Sequence, residues 1–411
     1  MTRWRWLVLA FGLLALGGCV SVPRRPPPPG LINAAVPAGF EPSIRLLSVD
    51  RRRYIQEFPQ WVAGLRRAAH GKPINILVLS GGGSDGAFGA GALIGLAKAH
   101  TRPQFQLVTG VSAGALLAPF AFLGPGWDDA LRKAFTSGAL GFLQRPGMLG
   151  ALKRIVFPQG TGGHDPLATL VDRFISDDMI DAVARQAATG RQLWVATTNL
   201  DDQETEFWDM GAIAQRGGPA AHKLFRKVLI ASASIPGMFP PVMIRVTENG
   251  KTYDEMHVDG SVTTPLFLAP VVALTAPVGH QLAGANVYVM INGHMGKQPT
   301  ETPINTIRIL EDSFSAQLIY NTRNAFNEVI AFAYREQMHL DFTSIPDAFR
   351  SGSFLDFHRQ HLQELFDYGE SCAMRGLLWT TVAQDVERNA YQQPNDRSAR
   401  MCPDGVAPSS Q

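Results

Sequence analysis

Gly110-Val111-Ser112-Ala113-Gly114 stands directly after the apolar run 105–109 and directly before a helix-compatible stretch at 115–122. An apolar strand, GxSxG and then a helix is the sequence form of a nucleophile elbow. The serine sits on a tight strand-to-helix turn, and small neighbours let the backbone bend that sharply. A second patch, Gly81-Gly82-Gly83-Ser84-Asp85-Gly86, follows the apolar run 74–79. Backbone N–H groups of Gly81, Gly82 and Gly83, joined by Ala113 beside the serine, could face a developing oxyanion. The pair of patches points to serine attack on acyl groups.

Each patch alone has competing meanings. Gly81-x-Gly83-x-x-Gly86 also fits a dinucleotide fingerprint, but that needs an acidic residue about twenty positions further on to hold a ribose. No Asp or Glu occurs between Gly86 and Trp127, and no Gly-Lys-Ser/Thr follows to make a Walker loop. GxSxG by itself also describes a structural turn in a chain with 40 glycines.

A serine hydroxyl needs an adjacent base. The candidate is Asp259, in His257-Val258-Asp259-Gly260-Ser261. Asp-Gly is also a common turn dipeptide, so its plain meaning is a strand-end turn. The rival chemistry is a Ser-acid-His triad, for which Ser112, Asp259 and then His280 or His294 have the right order. Spacing opposes it. Between Gly83 and Ser112 there is room for one parallel crossover only, less than that fold places between its oxyanion loop and nucleophile. His358 and His361 are at helical spacing, but without a matching carboxylate or cysteine pattern they read as a solvated helix face rather than a metal site.

Between nucleophile and acid lies Ala231-Ser232-Ala233-Ser234-Ile235-Pro236-Gly237-Met238-Phe239-Pro240-Pro241. With this segment the chain resembles the patatin-like phospholipase family, from about position 74 to about 380. That family joins a GGG-x-x-G oxyanion loop, a GxSxG nucleophile and an Asp-Gly base, with a segment like SASIPGMFPP commonly lying between the last two. Late in the chain comes Phe366-Asp367-Tyr368-Gly369 on an expected helix. The resemblance implies a Ser112–Asp259 dyad without metal or cofactor, and an oxyanion hole from Gly82 and Gly83 with Gly81 and Ala113 beside them. Gly86, Gly110, Gly114 and Gly260 are then the shaping glycines. It implies a layered α/β fold with a mainly parallel central sheet flanked by helices. The implied substrate is a phospholipid or related acyl lipid, with water or a lipid alcohol as acyl acceptor. A silent binding lipoprotein on the same fold would have no need of serine, acid and glycine loop together. The family often has Arg or Lys where Asp85 stands, so a basic side chain beside the loop is not expected here.

The N-terminus bears on location. Arg3 and Arg5 precede an apolar run at 7–16, then Gly17-Gly18-Cys19. A charged start, a short apolar run and small residues form an export signal too short to span a bilayer. Leu16-Gly17-Gly18-Cys19 resembles the bacterial lipobox, which implies acylation at Cys19 and attachment to the membrane surface. In lipoproteins of this kind a residue other than Asp after the cysteine, here Val20, favours the outer membrane, facing the periplasm.

The expected organisation is a lipoprotein signal at 1–18, a proline-rich tether at 19–45 and a basic extension at 46–72. A catalytic domain at 73–385 and a loose tail at 386–411 follow. Arg51-Arg52-Arg53 and Arg66-Arg67 could meet anionic headgroups, although a solvated helix face explains them as well. The formal charge is +2 and both signal arginines leave with the signal, so no nucleic-acid role is indicated. With 45% hydrophobic residues and no repeat, one large core is expected. Runs at 74–79, 105–109, 193–198 and 287–291 read as buried strands, with a hairpin around Asn199-Leu200-Asp201-Asp202. Cys372 and Cys402, in an exported chain, are either bridged or two separate thiols. The apolar stripe over 306–335 either packs in the core or lines and covers the cleft. The oligomeric state is open.

Overall fold

The computed structural model describes residues 24–137, 165–269, 280–296, 301–347, 349, 353–391 and 402. Cys19 and the signal lie outside them. In chain order the first elements are Val36–Pro37 (β1), Arg45–Leu47 (β2) and Arg51–Ala69 (α1), then Asn75–Leu79 (β3), Gly86–Lys98 (α2), Leu107–Val111 (β4) and Ala113–Leu123 (α3). Asp128–Thr136 (α4), Pro166–Phe174 (α5) and Asp177–Ala187 (α6) lead to the hairpin Gln192–Asn199 (β5) and Glu204–Asp209 (β6). Met210–Arg216 (α7) and Gly218–Ser232 (α8) precede a second hairpin, Val242–Glu248 (β7) and Lys251–Asp259 (β8). The chain closes with Asn286–His294 (β9), Thr306–Arg335 (α9), His339–Ile345 (β10), Arg359–Met374 (α10), Thr380–Thr381 (β11) and Val382–Tyr391 (α11).

The four expected strands are β3, β4, β5 and β9, and the expected hairpin is β5–β6. The sheet runs β1-β7-β8-β5-β4-β3-β9-β10-β11, with β6 joining β5 and β2. Its centre, β5-β4-β3-β9-β10, is parallel, as expected. Its margins are antiparallel, so the whole sheet is mixed. Side chains alternate across a strand, and β3 shows the layering. Leu77 and Leu79 face a core shared with α2, α3, α8 and α10, while Ile76 and Val78 face one shared with α1 and α9. Helices cover both faces of one sheet.

Two expected boundaries move. Of the segments set apart as tether and basic extension, the described residues 24–72 belong to the folded unit. On α1, Tyr54, Phe58, Val62 and Leu65 recur at helical intervals and are buried, and Asp50 caps the helix by accepting the Arg53 N–H. Arg45 on β2 is buried between Glu206 and Glu255, at 2.8 and 2.6 Å. The proline run reaches back to β8: the Arg25 carbonyl accepts the Asp254 N–H at 2.8 Å. A polyproline stretch carries free carbonyls, and a sheet margin supplies the donors. At the other end, the expected loose tail begins inside α11, and Cys402 is bonded to Cys372. The remaining tail lies outside the described residues.

Candidate active site

Two strands meeting end to end along β5 create the site. β4 pairs with β5 as far as Val111 opposite Ala196. Immediately beyond, β8 takes the same margin in the opposite direction, with Asp259 opposite Thr197. Ser112 follows Val111 and Asp259 ends β8, so residues 147 positions apart arrive side by side. The Ser112 hydroxyl donates to Asp259 Oδ2 at 2.6 Å, and no imidazole stands between them.

Ser112 has φ 54° and ψ −122°, a conformation that non-glycine residues rarely adopt and that turns the side chain out of the strand-to-helix bend. Its motif neighbours are small because the backbone is crowded: a Cβ on Gly114 would overlap the carbonyls of Leu79 and Ser80 on the adjacent strand. Gly110 and Gly260 are likewise packed on backbone, and Gly86 packs on Ala113. The Ser112 N–H donates to Ser232 Oγ at 3.0 Å, and Ser232 donates on to the Ala196 carbonyl at 2.7 Å.

Asp259 is anchored on three sides. Its N–H donates to the Ser234 carbonyl at 2.9 Å, and its Oδ1 accepts the Ser261 N–H at 2.8 Å. Burial pushes its carboxyl up to about 6, against the Ser112 hydroxyl and Ser261, which favour the ionised form. A carboxylate poised there is mostly ionised at neutral pH, yet basic enough to take a proton in a reaction.

The glycine loop divides its donors. The Gly81 N–H donates to the Pro265 carbonyl at 2.9 Å, which removes Gly81 from the expected oxyanion set. Its contribution is space, since a Cβ there would stand 3.2 Å from Ser112 Cβ. Among the described residues no acceptor takes the N–H of Gly82 or Gly83. Gly82 admits no side chain because the Asn292 carbonyl fills that position, and Gly83 has φ 57° with the Phe354 carbonyl against it. The Ser84 N–H ties the loop to the same Phe354 carbonyl at 2.8 Å. Ala113, at the first turn of α3, contributes a further backbone donor next to the serine.

Several positioning residues escaped the sequence. In the sequence, Ser232 and Ser234 stand out only as part of the segment 231–241. Asn292 donates through its side-chain amide to the Ser80 carbonyl and through its N–H to Ser80 Oγ, each at 2.8 Å, shaping the loop from β9. No local pattern marks an asparagine on a strand for this.

The other candidates fall elsewhere. His294 is buried and its imidazole is pushed down to about 4 by burial. His257 is buried beside Thr197, with Nδ1 3.0 Å from Thr197 Oγ1. His361 is half-buried rather than solvated, with Nε2 4.0 Å from Asp85, while exposed His358 pairs with Asp356. Glu206, Glu255 and His257 are grouped closely enough to ligate a cation, but the Arg45 guanidinium already bridges the two carboxylates. A cavity of about 190 Å³, lined by Thr264, Phe267, Asn324 and Phe332 among others, lies between α9 and the loop after Asp259 without reaching Ser112.

The arrangement matches one sequence family. The family model described as patatin-like phospholipase matches residues 77–271. The matched residues hold serine, acid and glycine loop alike. No curated protein sequence matches the chain. Similar solved structures include VipD from Legionella pneumophila, at 13% identity and TM-score 0.32, covering 74% of this chain and 67% of that one. Human GIVD cytosolic phospholipase A2 gives 12% identity and TM-score 0.31 over 66% of this chain and 51% of its own. The type III effector protein ExoU gives 15% and 0.27 over 74% and 53%. The chain thus spans about half the length of the last two.

Proposed function

We propose that this protein is a serine acyl hydrolase acting on phospholipids or related acyl lipids through a Ser112–Asp259 dyad. The observation that carries it is the direct 2.6 Å bond from the Ser112 hydroxyl to the buried Asp259 carboxylate, beside N–H groups of Gly82, Gly83 and Ala113. Ser112 Oγ attacks the ester carbonyl carbon as its proton passes to Asp259 Oδ2. The carbonyl oxygen becomes an oxyanion among the loop donors, each such donor being worth about 2.7–4 kcal/mol of barrier. Collapse breaks the ester C–O bond, and the departing alcohol takes the proton from Asp259. Water then gives a proton to Asp259 and attacks the acyl-serine, releasing a carboxylic acid and restoring Ser112.

The lipid class follows from the family name; headgroup and chain length are matters for assay. Attachment through an acylated Cys19, at the outer membrane facing the periplasm, belongs to the same proposal and is supported by the lipobox-like Leu16-Gly17-Gly18-Cys19. Among the described residues no helix is long and apolar enough to cross a membrane.

The test is a fluorophosphonate probe with mixed-lipid hydrolysis followed by mass spectrometry. Wild type should be labelled at Ser112 and release fatty acid; Ser112→Ala should fold normally, take no label and release none. Label on another residue, or turnover in the variant, overturns the mechanism. For the anchor, Cys19→Ala should abolish incorporation of radiolabelled fatty acid and release the protein from membranes.

A further inference from the structure

We propose that the carboxyl end of the parallel strands is the face this protein lays on a lipid bilayer, with the exposed apolar start of α9 inserted. The proposal rests on the lipid hydrolase assignment, since a bilayer is where such a substrate resides.

Ser112 follows the carboxyl end of β4 and so defines the catalytic end of the sheet. The N-terminal segment is docked at that same end. Both Arg24 guanidinium nitrogens meet the Asp201 carboxylate, at 2.6 and 2.7 Å, just past the carboxyl end of β5. The β7–β8 hairpin, which receives the Arg25 carbonyl, extends beyond β5 on this side because β8 runs antiparallel from Asp259 at Thr197. Cys19 stands only five positions before Arg24. Even a fully extended chain of that length spans no more than about 18 Å, so an acyl group on Cys19 is confined to the catalytic end.

The apolar element is the first half of α9. The chain leaves β9 at its carboxyl end and must enter β10 at its amino end, so α9 starts at the catalytic end and runs down the sheet. Arg323 Nε donates to the Met295 carbonyl at 2.6 Å, one residue past β9, and marks the level of the sheet margin. From Thr306 to that level is about 25 Å of helix, standing beyond the strands. On it Ile309, Leu310 and Tyr320 are exposed, and Ile304 just before it is wholly so. Phe314, one turn beyond Leu310, packs onto Phe354 with ring centroids 6.2 Å apart. Phe354 in turn holds the oxyanion loop through the Ser84 N–H. One helix half therefore touches the catalytic scaffold through Phe314 and leaves Ile309, Leu310 and Tyr320 exposed. The second half is ordinary core, with Phe326, Val329 and Phe332 buried.

Apolar side chains clustered at a projecting tip mark a contact surface. Among the described residues of this tip, Arg308 is paired with Glu311 and Asp312, which leaves no unbalanced positive charge there to select another macromolecule's anions. Insertion at the headgroup–acyl boundary suits it. Arg66 and Arg67, at the end of α1 against Gly190 and the amino end of β5, face the opposite way and take no part.

The test uses the full chain with phosphatidylethanolamine–phosphatidylglycerol vesicles. An environment-sensitive fluorophore on Leu310→Cys should shift to the blue and be quenched by brominated lipid, while the same fluorophore on Tyr334→Cys, at the far end of α9, should not. The Ile309→Glu/Leu310→Glu variant should lose about tenfold or more of vesicle-lipid hydrolysis and keep wild-type hydrolysis of a soluble short-chain ester. Should the double variant unfold, Leu310→Gln alone repeats the comparison at an exposed position. A Leu310 fluorophore that stays aqueous, equal insertion at both ends, or unchanged vesicle hydrolysis overturns the membrane face. Insertion at Leu310 only, with no ester cleaved by wild type, would uphold the face and overturn the hydrolase assignment instead.

Discussion

The Ser232 hydroxyl accepts the N–H of Ser112 at 3.0 Å and donates to the Ala196 carbonyl at 2.7 Å, so a side chain at the end of α8 ties the elbow to β5. Two residues on, the Ser234 carbonyl takes the Asp259 N–H. One short segment thereby holds Ser112 and Asp259 in mutual register. It gives a physical reason for the serine at 232: a hydroxyl can accept and donate at once, which an alanine cannot.

Ser232→Ala should therefore act on both stability and rate. It leaves a buried N–H and a buried carbonyl without partners, at about 1–3 kcal/mol, visible as a lower melting temperature. The elbow, already at φ 54°, is freed to relax. A displacement of the nucleophile on the order of 1 Å can lower turnover by about a hundredfold. The fall should appear in kcat more than in KM. Wild-type kcat in a destabilised Ser232→Ala would show that strand and helix alone fix the serine.

Asp259→Asn keeps an acceptor for the Ser261 N–H but removes the proton acceptor, and should cost about 10²–10⁴ in turnover. If Asp259 is the base, as proposed, it must be ionised in wild type, so activity should climb with pH through about 6 and level off above it. His294 cannot set that limb, because burial holds it down at about 4 and it is neutral throughout the climb. His257→Gln and His294→Gln should keep both the limb and most activity. If either histidine proves as indispensable as Ser112 in a folded variant, the dyad gives way to a triad.

Arg45 tests whether the N-terminal segment is integral to the domain. It donates to Glu206, Glu255 and the Ala35 carbonyl, all buried. Arg45→Met strands two carboxylates in the interior, and breaking a buried pair this way costs about 3–5 kcal/mol. The melting temperature should fall sharply, and adding Glu255→Gln should recover part of the loss. Stability unaffected by Arg45→Met would mean that the segment before α1 is dispensable.

How much of this was legible beforehand depends on the range of the interaction. The elbow, the glycine loop and the central strands are local signals: an apolar run followed by small residues states its own geometry, so the turn at Ser112, the loop at Gly82 and Gly83 and the strands β3, β4, β5 and β9 are legible directly. Asp259 needed the resemblance, since Asp-Gly alone describes any turn. Gly81 was misassigned because its N–H is taken by Pro265, a pairing that no local pattern announces. The antiparallel margins were missed for a similar reason. β7 and β8 mix polar and apolar residues, including Arg45's partner Glu255, and such strands are settled by neighbours rather than by hydropathy. Proline-rich composition described how residues 23–30 bend but not what they dock on.

Asp85 offers the last prediction. It sits in the turn that ends the oxyanion loop, and its Oδ1 has no hydrogen-bond partner among the described residues. Burial pushes its carboxyl up to about 8, so it is mainly a neutral acid at neutral pH. His361, 4.0 Å away, is itself shifted down by burial. The sign follows from the raised folded value. Relative to the unfolded chain, whose carboxyl titrates near 3.8, the neutral Asp85 contributes stability in full below that value and loses it as pH rises through about 8. Asp85→Asn keeps the shape and has no proton to lose. Its melting temperature should therefore gain on wild type progressively from about pH 5 to about pH 8, then by a constant margin at higher pH. In the proposed mechanism backbone donors, not this side chain, serve the oxyanion, so turnover near neutrality should stay within a few-fold of wild type. A stability difference independent of pH would mean that the carboxyl is already ionised in the fold. A collapse of turnover would mean that Asp85 bears on the reaction through more than the shape of the loop.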